Sequence, residues 1–197
     1  MTRSRTIAIL LGLAAVVVIG IGIAELPHGS SGGSTATRLS AGEVSALLAG
    51  SPPALAALHA QSGALLDGGA SALKARLAAL KGYPVVINKW ASWCVPCKEE
   101  FAAFQRVSAE YGHRVAFIGI DSEDPKRSDA QAFLKSFQVS YPSYYDPSGH
   151  LGLQTADSSF IPVTVFKPLH GQPFIYQGQL PNASKLREEV KRYALGE

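Results

Sequence analysis

The chain is poor in the residue types that build metal centres, disulfide frameworks and nucleic-acid surfaces. Its 197 residues include two cysteines, one methionine and five histidines, and the histidines are scattered without the spacing of metal ligands. Two cysteines cannot by themselves form a disulfide framework or a four-ligand zinc site. The net charge of +3 is small and comes without a basic stripe, so the sequence does not predict nucleic-acid binding.

One long stretch lacks charge altogether. Residues 7–24 are apolar, follow Arg3 and Arg5, and precede Glu25. As a helix this run is ~27 Å long, close to the thickness of the hydrocarbon core of a bilayer. Because positive charge stays on the cytoplasmic side, we expect residues 1–28 to be a cytoplasmic tip and a single transmembrane anchor, with the rest of the chain extracytoplasmic. A cleaved signal peptide is the alternative, although its apolar core is normally shorter, ~7–15 residues.

The remaining sequence divides into a linker and one domain. Residues 29–38 are rich in Gly and Ser and predict a flexible tether. Residues 39–197 predict a folded domain, in which residues 39–82 form a helical N-terminal extension. Ser40 and Glu43 have the spacing of a capping box at the start of its first helix. The pattern predicts helices over 40–49, 55–66 and 71–80.

From residue 84 onwards strands and helices alternate. The apolar runs at 84–90 and 114–121 predict buried strands, and two further short strands are expected at 163–167 and 174–177. Helices are expected over 96–111, 128–138 and 182–195. This order predicts an α/β fold with a mixed central sheet that is covered by helices on both faces.

The two cysteines lie between the first of these strands and its helix. Cys94 stands where the helix begins, and the unpaired backbone N–H groups and the helix dipole there stabilise a thiolate. Cys97 lies one turn further on, close enough to close a disulfide with Cys94. We therefore assign Cys94 as the nucleophile and Cys97 as the resolving thiol, and we expect no cofactor other than this redox-active pair and no metal. Half of a zinc site and an inert structural disulfide are the weaker alternatives.

The sequence around these cysteines resembles a known family. The segment VVINKWASWCVPCKEEF at residues 85–101 looks like the active-site stretch of thioredoxin-fold proteins, and more narrowly of the membrane-anchored, extracytoplasmic TlpA/ResA-type thiol–disulfide oxidoreductases. The resemblance extends from about residue 83 to the C-terminus and implies a thioredoxin-like fold. Its further marks are Gly119-Ile120-Asp121, Tyr141-Pro142, Asp146-Pro147-Ser148-Gly149 and Ile161-Pro162-Val163-Thr164-Val165-Phe166.

The resemblance also implies a substrate-binding set. Pro162 matches the family's cis-proline, which would expose the backbone of Ile161 beside the sulfurs, where an extended substrate chain can pair with it. Trp93, directly before Cys94, completes the expected substrate-binding residues. An ordinary trans proline at the start of a strand is the alternative for Pro162.

The sequence departs from the family at several positions. Asn88 stands where cytoplasmic thioredoxins have a buried Asp, and Asn cannot act as a base. Lys89 stands where a large apolar residue is common; we expect its side chain to point to solvent, with an effect on a thiol pKa as the alternative. Glu123 is left outside the catalytic set. The helical segment 39–80 replaces the β-hairpin with which the family usually opens.

The function that the resemblance implies is reduction of disulfides in exported proteins, such as apocytochrome c or copper-site assembly proteins. Because the chain has only two cysteines, its electrons must come from a separate membrane donor. A disulfide oxidase is one alternative. The other is a copper-binding chaperone that uses both thiolates, with His150 or His170 as a further ligand.

Overall fold

A six-stranded sheet organises residues 38–197, the part of the chain that the computed structural model describes. The strands are β1 Leu65–Leu66, β2 Val85–Trp90, β3 Ala116–Ser122, β4 Ser143–Asp146, β5 Val163–Lys167 and β6 Phe174–Gln177. The helices are α1 Ala41–Leu48, α2 Pro53–His59, α3 Gly69–Ala79, α4 Val95–Tyr111, α5 Arg127–Phe137, α6 His150–Ala156 and α7 Ala183–Glu189, which a π-helical segment continues over Val190–Leu195.

The sheet is mixed, as the sequence predicts. Its order is β1-β4-β3-β2-β5-β6, in which β1, β4, β3 and β2 run parallel while β5 and β6 form an antiparallel hairpin. Every residue of β2 and β3 is buried, as expected for central strands whose two faces are both covered. The carboxyl end of β2 therefore emerges in the middle of the sheet, where it leads directly into α4.

Two apolar cores cover the two faces of the sheet. One core contains Trp90 and the aromatic side chains of α4 and α5, with Phe101 edge-on to Trp90 at 5.2 Å between ring centroids. The other contains Leu55, Ile118 and other aliphatic side chains from α2, α3 and α6. The expected covering of both faces is thus confirmed.

The N-terminal extension packs against the sheet edge and α4. Ser40 and Glu43 form the predicted capping box of α1. Gln105 of α4 bonds to both backbone groups of Leu39, accepting from its N–H at 3.0 Å and donating to its carbonyl at 3.1 Å. The predicted helix over 55–66 is wrong in its second half, because Leu65–Leu66 forms an edge strand paired with Ser143 and Tyr144 of β4.

Besides β1, two elements are absent from the sequence prediction, β4 and α6. Strand β4 has only four residues, and α6 follows it after the turn at Gly149, which has φ 73°. The C-terminal helix lies where it is expected, but its second half, Val190–Leu195, is π-helical. The described fold therefore has two more strands than the apolar runs indicate, β4 and β1, and both lie on the same side of the sheet, beyond β3.

The predicted anchor, residues 1–28, and the predicted linker, residues 29–38, lie outside the described residues except for Arg38. Within residues 38–197 no helix combines the length and the apolar character needed to cross a bilayer.

Candidate active site

Cys94 and Cys97 are joined by a disulfide at the start of α4. Cys94 is the N-cap residue of this 17-residue helix, and its sulfur accepts a hydrogen bond from the backbone N–H of Cys97 at 3.2 Å. Pro96 lies in the first turn, where its missing N–H costs no hydrogen bond. The sulfur of Cys94 thus lies at the positive end of the helix dipole, where a thiolate is stabilised.

The surface around Cys94 is apolar and exposed. Trp93 and Val95, on either side of Cys94 in the chain, are 53% and 61% exposed, and Phe160, directly before Ile161, is 67% exposed, although large apolar side chains are normally buried. The indole Nε1 of Trp93 donates to the carbonyl of Glu123 at 3.2 Å, which fixes the ring on the outside of the active-site loop. The predicted substrate-binding residue Trp93 is therefore accessible.

The loop before β5 completes this surface. The Ile161–Pro162 peptide bond is cis, as the sequence predicts. Ile161 packs against the core cluster that contains both cysteines. The role of Ile161 and Pro162 in substrate binding stays a prediction.

Glu100 is a site residue that the sequence reasoning missed. It lies on the buried face of α4, one turn beyond Cys97, and its side chain is fully buried. Its Oε1 accepts from Asn88 Nδ2 at 2.8 Å and its Oε2 accepts from the backbone N–H of Leu180 at 2.9 Å. Burial raises the pKa of Glu100 to about 8, against the two hydrogen bonds, which favour the charged form. A glutamate three residues after Cys97 on the inward face of an amphipathic helix is the signal that could have revealed it.

Lys89 corrects another expectation. Its side chain does not point to solvent: the residue is 1% exposed, and its Nζ donates to the carbonyl of Ser158 at 2.9 Å. Position 89 of β2 faces α6, whose Gly152 leaves room for the aliphatic stem. Burial lowers the pKa of Lys89, while the charges of Glu123 and Asp146 raise it.

Two buried aspartates lie behind the active-site loop. Asp124 accepts from Ser92 twice, from the backbone N–H and from the hydroxyl, both at 2.7 Å. Asp121, one residue before the end of β3, is paired with Trp90 in the register of the sheet. The pKa of Asp121 is raised to about 9, mainly by burial and also by a hydrogen bond with Asp124 and by the charges of Asp124 and Asp146.

The described residues do not suggest a metal centre. Among residues 38–197 no three His, Cys, Asp or Glu side chains are grouped so that they could hold an ion. The arrangement at the start of α4 is instead suited to two-electron exchange between thiols and disulfides, with a titratable carboxyl, Glu100, one turn behind the sulfurs.

Known proteins resemble this chain around the same residues. The model of the AhpC/TSA family matches residues 63–154. The thioredoxin-like protein YneN of Bacillus subtilis (strain 168) is 31% identical over 78 residues, 39% of this chain and 46% of YneN. The thiol:disulfide interchange protein DsbE of Allochromatium vinosum is 39% identical over 75 residues, 38% of this chain and 40% of DsbE. These matches span less than half the length of either relative.

A solved structure extends the likeness to the fold. A DsbF homologue from Corynebacterium diphtheriae is 30% identical to this chain, with a TM-score of 0.54. The match covers 59% of this chain and 75% of the homologue.

Proposed function

Because the chain belongs to the thioredoxin-like family of thiol–disulfide oxidoreductases, we propose that it reduces disulfides of exported proteins through Cys94 and Cys97. The observation that carries the proposal is the position of the pair. Cys94 caps α4 with its sulfur beside the helix N-terminus, and Cys97 is bonded to it from one turn inside. This geometry supplies an attacking thiolate and a second thiol placed to resolve the intermediate.

Reduction of a client proceeds in two exchanges. The Cys94 thiolate attacks one sulfur of the client disulfide; the client bond breaks, a mixed disulfide forms, and the departing client thiolate takes up a proton. The Cys97 thiolate then attacks the Cys94 sulfur, which closes the Cys94–Cys97 disulfide and releases the second client thiol. The client gains two electrons and the protein loses two.

Glu100 accounts for the proton of the second exchange. Cys97 must lose a proton before it can attack, and its own position is completely buried. The pKa of Glu100, about 8, lies close to that of a free thiol, about 8.5. Transfer of the proton between the Cys97 thiol and the Glu100 carboxylate therefore costs little in either direction.

The surroundings of the sulfurs favour a reductase over an oxidase. A strongly oxidising member of this chemistry needs a stabilised reduced form, which cations beside the thiolate would provide. Here the buried group bonded to the active-site loop is the carboxylate of Asp124, which accepts two hydrogen bonds from Ser92. Negative groups disfavour a neighbouring thiolate, which keeps the pair reducing.

The proposed clients are exported proteins whose cysteines must stay reduced, such as apocytochrome c or copper-site assembly proteins. The exposed side chains of Trp93, Val95 and Phe160 fit an extended client segment with apolar residues beside its cysteine. Electrons come from a separate membrane donor, because the chain has no third cysteine to relay them. The copper-chaperone alternative has no support in the described region, where His150 and His170 join no ligand group.

The proposed location is the outer face of the cytoplasmic membrane, with residues 1–28 as a single-pass anchor. In intact cells, a membrane-impermeant maleimide should label reduced Cys94, and the full chain should sediment with membranes. A variant without residues 1–34 should not be exported. It should be soluble and should be labelled only after lysis. Equal labelling of both forms before and after lysis would contradict the extracytoplasmic location.

Exchange through the assigned roles is tested by trapping. In full-length protein purified in detergent, Cys97→Ser should accumulate a mixed disulfide with a disulfide-bonded client peptide, because the second exchange is blocked. Cys94→Ser is the matched control and should trap at least tenfold less, since its remaining thiol is buried. Gel mobility with and without dithiothreitol reads the product. Trapping by Cys94→Ser and not by Cys97→Ser would invert the roles, and no trapping by either would refute the proposed exchange.

A further inference from the structure

The loop that carries Cys94 is fastened to the loop that follows β3. Three hydrogen bonds join them: Ser92 donates its backbone N–H and its hydroxyl to the two carboxylate oxygens of Asp124, each at 2.7 Å, and Trp93 Nε1 donates to the carbonyl of Glu123. Asp124 is 1% exposed. A buried carboxylate with two short hydrogen bonds fixes its donor more firmly than a surface contact does.

Asp121 supplies the third partner of this carboxylate. Asp121 is completely buried, and within residues 38–197 no backbone N–H, amide, hydroxyl or cationic side chain donates to either of its carboxyl oxygens. The hydrogen bond left to it is one with Asp124, in which a proton on one carboxyl is shared with the other. Two adjacent buried carboxyls hold one proton more readily than none. The raised pKa of Asp121 favours its protonated form, so that it can donate to Asp124, whose two oxygens also accept from Ser92.

The backbone of Asp124 is held in turn by Tyr145 of β4. The hydroxyl of Tyr145 donates to the Asp124 carbonyl at 3.1 Å. The guanidinium of Arg127 lies over the Tyr145 ring, 5.1 Å from its centroid. Arg127 also bonds Asp67 and the carbonyl of Leu65, both at 2.6 Å. A continuous set of contacts thus leads from the N-terminal extension to the active-site loop.

We propose that Asp124 is a positioning residue for disulfide exchange. Asp124 holds the Cys94 loop through Ser92 and places a negative charge at Ser92, two residues before Cys94. Its use in catalysis rests on the proposed function. The hydrogen bonds fix where the Cys94 sulfur stands relative to Cys97. The charge disfavours the Cys94 thiolate and so opposes the helix N-terminus.

Other charged groups lie near Asp121 and the active-site helix and affect the measured reactivity of Cys94. Arg127 of α5 and Asp146 of β4 act on Asp121. Glu123 of the loop after β3 and Asp146 act on Lys89 of β2, and Glu100 lies on α4 one turn beyond Cys97. Of these, Asp146 adds to the negative field at Asp121 and Arg127 weakens it. A matched change of charge elsewhere on the surface is therefore the necessary control.

The first test is Asp124→Asn with Asp129→Asn as its control, since Asp129 is an exposed aspartate on α5 with the same charge. The rate of alkylation of Cys94 by iodoacetamide is measured against pH in the reduced full-length protein. Below the midpoint of the profile, Asp124→Asn should react about tenfold faster, because removing the charge enlarges the thiolate fraction. Asp129→Asn should stay within about twofold of the unchanged protein.

A second variant separates the hydrogen bonds from the charge and remains informative if Asp124→Asn does not fold. Ser92→Ala keeps the carboxylate and removes one of its donors. Its alkylation profile should keep the original midpoint. Its equilibrium constant for closing the Cys94–Cys97 disulfide against glutathione should fall about fivefold, the size expected from one lost hydrogen bond.

Each half of the proposal can be overturned. An unchanged alkylation profile in folded Asp124→Asn, or an equal shift in Asp129→Asn, would remove the role of the local charge. An unchanged closing constant in Ser92→Ala would remove the role of the hydrogen bonds. Neither assay contains a client, so these results are independent of whether the protein reduces exported proteins, which the trapping experiment decides.

Discussion

In the proposed mechanism, a buried carboxyl on the helix, rather than on the strand, exchanges a proton with the resolving cysteine. The strand position that faces α4 is Asn88, which is uncharged and donates to Glu100 at 2.8 Å. Glu100 therefore holds the only titratable proton among these two partners. Because its pKa is raised to about 8 by burial, Glu100 is mostly protonated at neutral pH and gains its charge over the range in which thiols ionise.

The neighbouring polar atoms fit a protonated Glu100. Asn88 Oδ1 and Thr164 Oγ1 are buried without a hydrogen-bond partner in the described region, and Asn88 and Thr164 are opposite each other in the register of β2 and β5. The two ends of an Asn amide are interchangeable by a 180° turn. The turned amide would accept the Glu100 proton at Oδ1 and present its NH₂ group towards Thr164.

Glu100 makes stability and exchange depend on pH. Its unfolded-state pKa is near the ordinary value of 4.5 and its folded-state pKa is about 8. Between these values the folded state holds a proton that the unfolded chain has lost, so the free energy of unfolding falls as pH rises. Glu100→Gln should remove this loss, about 3 kcal/mol between pH 5 and 8, and should slow client reduction about 100-fold by removing the proton acceptor.

Glu99→Gln is the matched control, because Glu99 is the exposed neighbour on the same helix. Urea unfolding at pH 5 and pH 8 and the pH profile of client reduction read the two effects. Glu99→Gln should retain the unchanged protein's behaviour in both assays. A Glu100→Gln variant that keeps the original dependence of stability on pH would show that Glu100 does not titrate in this window.

At the scale of elements, the junction of β2 and α4 is the part that sequence reasoning predicts best. An apolar run, a C-x-x-C pair with Pro96 and an amphipathic helix follow one another within 27 residues of chain, 85–111. Such local signals need no knowledge of distant contacts. Cys94, Cys97 and their positions at the helix start follow from them.

The errors arise where an element depends on distant partners. Leu65–Leu66 is a strand only because β4 lies beside it, and β4 and α6 are too short for a clear periodicity. Missing α6 also explains the error at Lys89, because Gly152 of α6 and Ser158 after it bury that side chain. Glu100 and Asp124 gain their importance from Leu180 and Ser92, contacts across 80 and 32 residues of sequence.

At the scale of the whole molecule, the net charge of +3 conceals the local distribution. The groups buried around the redox pair are mainly acidic, while most of the basic side chains lie on the surface. Overall charge therefore predicts little about the redox behaviour, which is set by the few groups next to the sulfurs. We expect the groups next to the sulfurs, together with the helix N-terminus, to set the reduction potential of the Cys94–Cys97 pair.

The equilibrium reduction potential of the Cys94–Cys97 pair tests the central claim most directly. The full-length protein in detergent is equilibrated with dithiothreitol or glutathione buffers at pH 7, and the thiol state is read by alkylation and gel mobility. A reductase should have a potential near that of thioredoxin, about −250 mV or lower. A value near about −120 mV, that of a strong oxidase, would contradict the account.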